Sequence, residues 1–176
     1  MTGLIKTEED MSNKDQLFQE IIDKHKDKIY RICYAYLYNK KLVDDLFQDV
    51  LINIWNALDR FKGEAQITTW LYRITMNTTI TFNKNYEKQK KLFTNEIPLN
   101  IKDECAQTSE IHNQQKIDKL MQSIQKLKKD ERLIISFVLE ELSYKEVAEI
   151  LGISVNSVGV KINRIKKRLL GIYKNG

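Results

Sequence analysis

A chain of 176 residues accommodates one ordinary domain or two small ones, since domains cluster near roughly 100 to 150 residues, and it excludes a large enzyme fold. With 42% apolar and 30% charged residues, six glycines and one proline, the composition excludes a disordered chain and fits a helix-rich protein with real cores. The formal net charge is +5, and the stretch from Leu142 to Gly176 holds seven Lys or Arg against two Glu, a local surplus that points to a polyanionic partner.

After a tail at 1–14, the first predicted helix runs from Asp15 to Tyr38. There Leu17, Phe18, Ile21, Ile22, Ile29, Ile32, Cys33 and Tyr36 recur at three- and four-residue intervals and stack on one face. A second helix is predicted from about Leu42 to Arg60, interrupted by Phe61-Lys62-Gly63-Glu64. A third begins near Thr68 or Thr69, either of which can cap it, and continues to about Lys91. No strand pattern occurs. From about Phe93 to His112 the periodicity fades, Pro98 appears and polar residues dominate, so 93–114 reads as a linker between two packed units, 15–92 and 115–176. Helical spacing resumes from Gln115 through Leu127, then from Asp130 to Glu141, then in two segments separated at Gly152. The expected fold class is all-α, with two small helical domains.

The C-terminal segments carry a specific grammar. Ser143 and Glu146 form the pair in which each side chain satisfies the other's free backbone N–H at a helix start. Ala148 permits close helix approach, Gly152 can take the left-handed conformation that ends the helix, and Ser154 can cap the next. A short helix, a tight turn and a basic second helix describe a helix-turn-helix. On a wheel of the last helix, Val158, Ile162, Ile165, Leu169 and Ile172 form the core stripe. Asn156, Asn163, Arg164 and Lys167 lie opposite, flanked by Lys161, Lys166 and Arg168, and no acidic residue accompanies them. Amides and guanidinium groups read base edges, whereas lysines usually meet phosphates. Gly159 within this helix marks either a close approach of a phosphate backbone or a tolerated flaw.

Two further constellations lie in the N-terminal unit. On the second helix, Leu46, Phe47, Val50, Leu51, Ile54, Trp55 and Leu58 cover an apolar arc, while Asp45, Gln48, Asp49, Asn56 and Asp59 occupy the other side. Ile52 falls in the middle of that polar side, an apolar centre with a polar rim, as at a protein contact. The third helix aligns Trp70, Arg73, Asn77, Thr81 and Lys84, a row that can hold unpaired bases by stacking, hydrogen bonds and charge. The other reading of Trp70 is a core residue beside Ile74.

No apolar stretch approaches the roughly 20 residues needed to cross a bilayer, so no membrane insertion and a cytoplasmic location are expected. Cys33 and Cys105 lack CxxC spacing, and His25 and His112 are isolated, so no metal, cofactor or catalytic residue is expected. Cys33, among Ile29, Ile32 and Tyr36, reads as a small core residue.

The segment Asp44-Asp45-Leu46-Phe47-Gln48-Asp49-Val50 with Ile54-Trp55, then Arg60-Phe61-Lys62-Gly63-Glu64, Thr69-Trp70-Leu71-Tyr72-Arg73-Ile74 and Asn77, resembles the second domain of extracytoplasmic-function sigma factors. Leu142-Ser143-Tyr144-Lys145-Glu146-Val147-Ala148, Gly152-Ile153-Ser154, Val158 and Lys166-Lys167-Arg168-Leu169 resemble their fourth domain, in the family's order and spacing. The resemblance implies a subunit that binds core RNA polymerase and directs it to promoter DNA. It implies that Asp45, Leu46, Gln48, Asp49 and Ile52 dock on the clamp helices of the largest polymerase subunit. Phe61, Lys62, Trp70, Arg73, Asn77 and Lys84 would engage the melted upstream element, with Asn77 at a position where some relatives hold a flipped base. Ser154, Asn156, Ser157, Lys161, Asn163, Arg164, Lys167 and Arg168 would read the next element upstream. The linker would thread the polymerase near its RNA exit path, and an anti-sigma factor is a further candidate partner. Thr81, Lys84 and Gly159-Val160 depart from the family pattern, which leaves the promoter sequence open, and Leu127-Lys128 replaces the family's Leu-Pro, which affects only the start of the following helix. The rival reading is a stand-alone helix-turn-helix regulator with an N-terminal sensing or dimerisation module, which leaves the Asp45 to Trp55 patch and the Trp70 to Lys84 row without a purpose.

Overall fold

The structure, a computed structural model, describes residues 8–37, 39–61, 63, 66–93 and 119–175, and among them helices and turns are the whole of the secondary structure. Helix α1 (Glu8–Leu37) starts well before the predicted Asp15. Its apolar spacing buries Ile21, Ile22, Ile29, Ile32, Cys33 and Tyr36. Helix α2 (Lys40–Leu58) is capped by Asn39, whose Oδ1 accepts the Leu42 N–H at 3.4 Å. Helix α3 (Ile67–Phe93) corrects the expected threonine cap. Its first turn closes on the Gln66 carbonyl through the Trp70 N–H, and Thr69 is buried with no hydrogen bond to its hydroxyl. Further along α3, Thr75 and Thr79 turn their hydroxyls back onto the carbonyls of Leu71 and Thr75, which lets small polar side chains sit in the core without unsatisfied donors.

Helical residues 119–125 (α4) lead into α5 (Lys129–Leu139), α6 (Tyr144–Leu151) and α7 (Val155–Asn175). Helix α5 is buried on nearly all sides, from Arg132 through Phe137. A helix apolar all round must be covered all round, and α5 lies between α1 and α7. One contiguous apolar cluster runs from Ile21 on α1 through Tyr72 and Phe137 to Ile165 on α7. The linker, Cys105 and His112 lie outside the described residues.

Helices α5 and α6 end in the same way. The Glu141 and Leu142 N–H groups reach back to the carbonyls of Val138 and Phe137, and the Ile153 N–H reaches back to Ala148, each with one left-handed residue at the turn. At α6 that residue is Gly152, which has no Cβ to strain; at α5 it is Glu141, with φ of 64°, a conformation that costs a non-glycine residue roughly 1–2 kcal/mol.

Candidate nucleic-acid and protein interfaces

Helix α6 carries the expected capping box. The Ser143 N–H donates to Glu146 Oε2 at 2.8 Å, the Ser143 hydroxyl donates to the same oxygen at 2.6 Å, and the Glu146 N–H donates to Ser143 Oγ at 3.3 Å. Those hydroxyl and backbone bonds hold the Glu146 carboxyl below its ordinary pKa. Gly152 then turns the chain left-handedly, and Ser154 caps α7 by accepting the Ser157 N–H at 3.2 Å. The Ser154 and Ser157 hydroxyls lie 2.8 Å apart and share a hydrogen bond.

This local geometry aims α7. Val158, Ile162 and Ile165 are buried against the rest of the C-terminal half, which leaves Asn156, Lys161, Asn163, Arg164, Lys166, Lys167 and Arg168 exposed. Arg168, however, reaches back to α5 and binds both carboxylate oxygens of Glu131, at 2.7 and 2.9 Å, so it braces α7 as it stands rather than extending the open basic face. Gly159 faces the Tyr144 ring, and an added Cβ would sit 3.9 Å from it, an ordinary contact; packing does not require glycine there.

On α2, Asp45, Gln48 and Asp49 are exposed around Ile52, whose side chain is 57% exposed. Leu46 is a correction: at 0% exposure it offers no atoms to a partner and belongs to the core with Val43 and Val50. The reason is helical phase, because a residue one position from Asp45 is rotated about 100° toward the apolar arc. Tyr30 on α1 donates its hydroxyl to Asp44 beside this face at 3.0 Å.

On α3, Arg73, Asn77, Thr81 and Lys84 are exposed in a row. Trp70 is half-buried: it packs against the core and its ring lies against Phe61, with centroids 4.8 Å apart and the planes tilted by 45°. Lys62 lies outside the described residues. Sequence reasoning missed the groove beside this row, about 660 Å³ between α2 and α3, lined by Asp49, Asn53, Asn77, Thr81, Asn85 and Tyr86 among others. Asn53 fixes one wall by donating to Thr78 at 3.1 Å. The amides at 53, 77 and 85 were legible as residue types, but only the pairing of two helices assembles them.

The row is not wholly open. Arg73 donates a hydrogen bond to the carbonyl of Glu149, in the last turn of α6. Buried Arg132, likewise missed, donates to the carbonyls of Gln125 (2.9 Å), Leu127 (3.3 Å) and Tyr36 (2.6 Å). The one signal for it was a cation directly before the apolar run Leu133-Ile134-Ile135.

Cys33 is buried, and burial pushes its thiol up to about 12, which leaves it inert near neutral pH. His25 is half-buried, and desolvation together with Lys28 and Lys24 lowers its pKa. Among the described residues no group of His, Cys, Asp and Glu is arranged to hold a metal ion, and no helix is long and apolar enough to cross a membrane.

Two family models match the chain, sigma-70 region 2 over residues 21–88 and sigma-70 region 4 over residues 117–169. The ECF RNA polymerase sigma factor SigW of Bacillus subtilis (strain 168) is 32% identical over 167 residues, covering 86% of each chain. RNA polymerase sigma factor YlaC of the same organism is 33% identical over 164 residues, covering 83% of this chain and 92% of that one. The fold also matches that of the sigma factor RpoE from Bartonella quintana, solved in complex with the anti-sigma factor NepR, at a TM-score of 0.71 and 17% identity over 91% of this chain and 96% of that one. Matches to both halves, in one chain and over most of its length, do not favour a stand-alone helix-turn-helix regulator. The chain belongs to the sigma-70 family, in its extracytoplasmic-function (ECF) group, as a sigma factor directing transcription initiation.

Proposed function

We propose that this sigma factor divides its work among three faces, in two functional units at 15–92 and 115–176. Asp45, Gln48 and Asp49 around Ile52 bind core RNA polymerase. Phe61, Trp70, Arg73, Asn77 and Lys84, with Lys62 next to Phe61 in sequence, hold the melted promoter element. Asn156, Lys161, Asn163, Arg164 and Lys167 of α7 read the duplex upstream, with the Ser154 and Ser157 caps at its start, while Arg168 braces the helix through Glu131. The chain acts in the cytoplasm, where the polymerase works, and contributes no catalysis of its own. An anti-sigma factor is a further proposed partner, on the precedent of the RpoE complex with NepR.

The observation that carries this reading is α7: its exposed face bears amides and cations while the whole helix, Val155–Asn175, contains no acidic residue. A salt-bridged surface helix would intersperse the two signs. Reconstituted holoenzyme tests the division. Arg164→Ala and Lys167→Ala should abolish most promoter-directed transcription while leaving polymerase binding intact, and Asp49→Lys should lose polymerase binding first. Asn77→Ala should slow strand opening more than duplex capture, as read by permanganate reactivity. Identical defects from Asp49→Lys and Arg164→Ala would refute the division.

A further inference from the structure

The polar face of α7 has an apolar centre. Val160 is 44% exposed, and it stands one turn of the helix from Asn156, Asn163 and Arg164 and two turns from Lys167, all of them exposed. At 100° per residue it falls about 20° from the line directly opposite the stripe of Val158, Ile162, Ile165, Leu169 and Ile172. That direction takes it away from the core, so packing does not account for it, and β-branched residues are among the poorer helix formers. Single exposed apolar side chains are ordinary; this one sits at the middle of the row of amides and cations assigned to duplex DNA. Its neighbour Gly159 carries no side chain although there is room for one, an added Cβ meeting only the Tyr144 ring at 3.9 Å. At 159 and 160 the face is therefore low and apolar, whereas Arg164 and Lys167 are long and charged.

We propose that Val160 is a specificity-determining residue: in the major groove it packs its methyl groups on the C5-methyl of a thymine, and so selects an A·T pair in one orientation at one position of the upstream element. The inference rests on the assignment of α7 to the duplex. The chemistry of the groove leaves valine one target. Along the major-groove edge the bases present hydrogen-bond donors and acceptors, and only thymine adds a methyl group. Valine has no polar side-chain atom, so against guanine, adenine or the amino group of cytosine it would strip water from groups that it cannot pair with. Against thymine two apolar surfaces leave water together. The short stem of Val160 requires α7 to lie close to the base edges, and the bare backbone at Gly159 removes one side chain that would hold it off. Asn156, Asn163 and Arg164 around it supply the hydrogen bonds to other base edges that valine cannot make.

Deoxyuridine tests the contact, because it removes the methyl group and leaves every hydrogen-bonding group of thymine in place. Reconstituted holoenzyme first selects duplexes from a library randomised through the upstream element, and each thymine of a selected duplex is then replaced singly by deoxyuridine. For the natural chain one such replacement should weaken binding about four-fold, the effect of exposing one buried methyl group. Holoenzyme carrying Val160→Ser should bind the thymine and deoxyuridine duplexes alike at that position and keep its preferences at the others. The surface position of Val160 keeps this substitution from disturbing the fold. A natural chain indifferent to every deoxyuridine would overturn the proposal, as would a four-fold loss that persisted unchanged in Val160→Ser. A natural holoenzyme that enriched no upstream sequence at all would overturn the assignment of α7 to the duplex and the role of Val160 with it, a result distinct from either of those.

Discussion

Arg132 is the residue whose removal tests the packing most directly. Its side chain lies on a residue only 8% exposed, yet its mapped hydrogen bonds run to carbonyls: Gln125 and Leu127 at the end of α4, and Tyr36 in the last turn of α1. One guanidinium thus caps two helix C-termini, one in each half, which is where free carbonyls and the negative ends of the dipoles are found. Arg132→Met keeps much of the apolar stem and removes the donors. Orphaned buried carbonyls cost about 1–3 kcal/mol each. The 3.3 Å bond is the weakest of the three, and the substitution also relieves the desolvation of a buried cation. The expected net loss is about 3 kcal/mol, a large share of the 5–15 kcal/mol typical of a domain. Urea titration should show a lower midpoint with an unchanged slope. Arg132→Lys should recover little, since one ammonium cannot span both helix ends. A midpoint for Arg132→Met equal to or above that of the natural chain would refute the reasoning, because desolvation would then outweigh the caps.

The helix-turn-helix supplies a pH test. The Glu146 carboxyl is held below its ordinary pKa by Ser143, so its stabilisation is present at neutral pH and fades as pH falls below the ordinary glutamate range through the lower folded value. The stability gap between the natural chain and Glu146→Gln should therefore shrink in acid, and a gap that widened would contradict the sign. Ser143→Ala should cost about 1 kcal/mol at neutral pH in the same denaturation assay. The paired turns make opposite predictions: Gly152→Ala should destabilise, and Glu141→Gly should stabilise, by about 1 kcal/mol each, because both positions are left-handed. In a Cys105→Ser background, Cys33 should resist alkylation at mildly alkaline pH until the chain unfolds, its thiol being buried and raised to about 12; labelling as fast as in denaturant would contradict its burial.

Most of the local architecture was legible in the residues themselves. The Ser143–Glu146 cap, the Gly152 turn, the Ser154 cap and the buried stripe of α7 depend on partners no more than five positions away, so spacing alone determines them. The same holds for the exposed Ile52 with its polar rim, because helical phase decides which side of α2 faces inward. Phase also explains the failure at Leu46: a contiguous motif contains core and surface positions alike. What only the tertiary structure decided are the contacts that join distant residues: Arg132 with Tyr36, Arg31 with Glu140, Lys129 with Glu87, and Arg73 with the end of α6. A cation on a helix face reads the same in sequence whether it meets water, a phosphate or a carbonyl far along the chain. The direction in which two helical halves bury their shared apolar surface makes that choice, and no periodicity within either half encodes it.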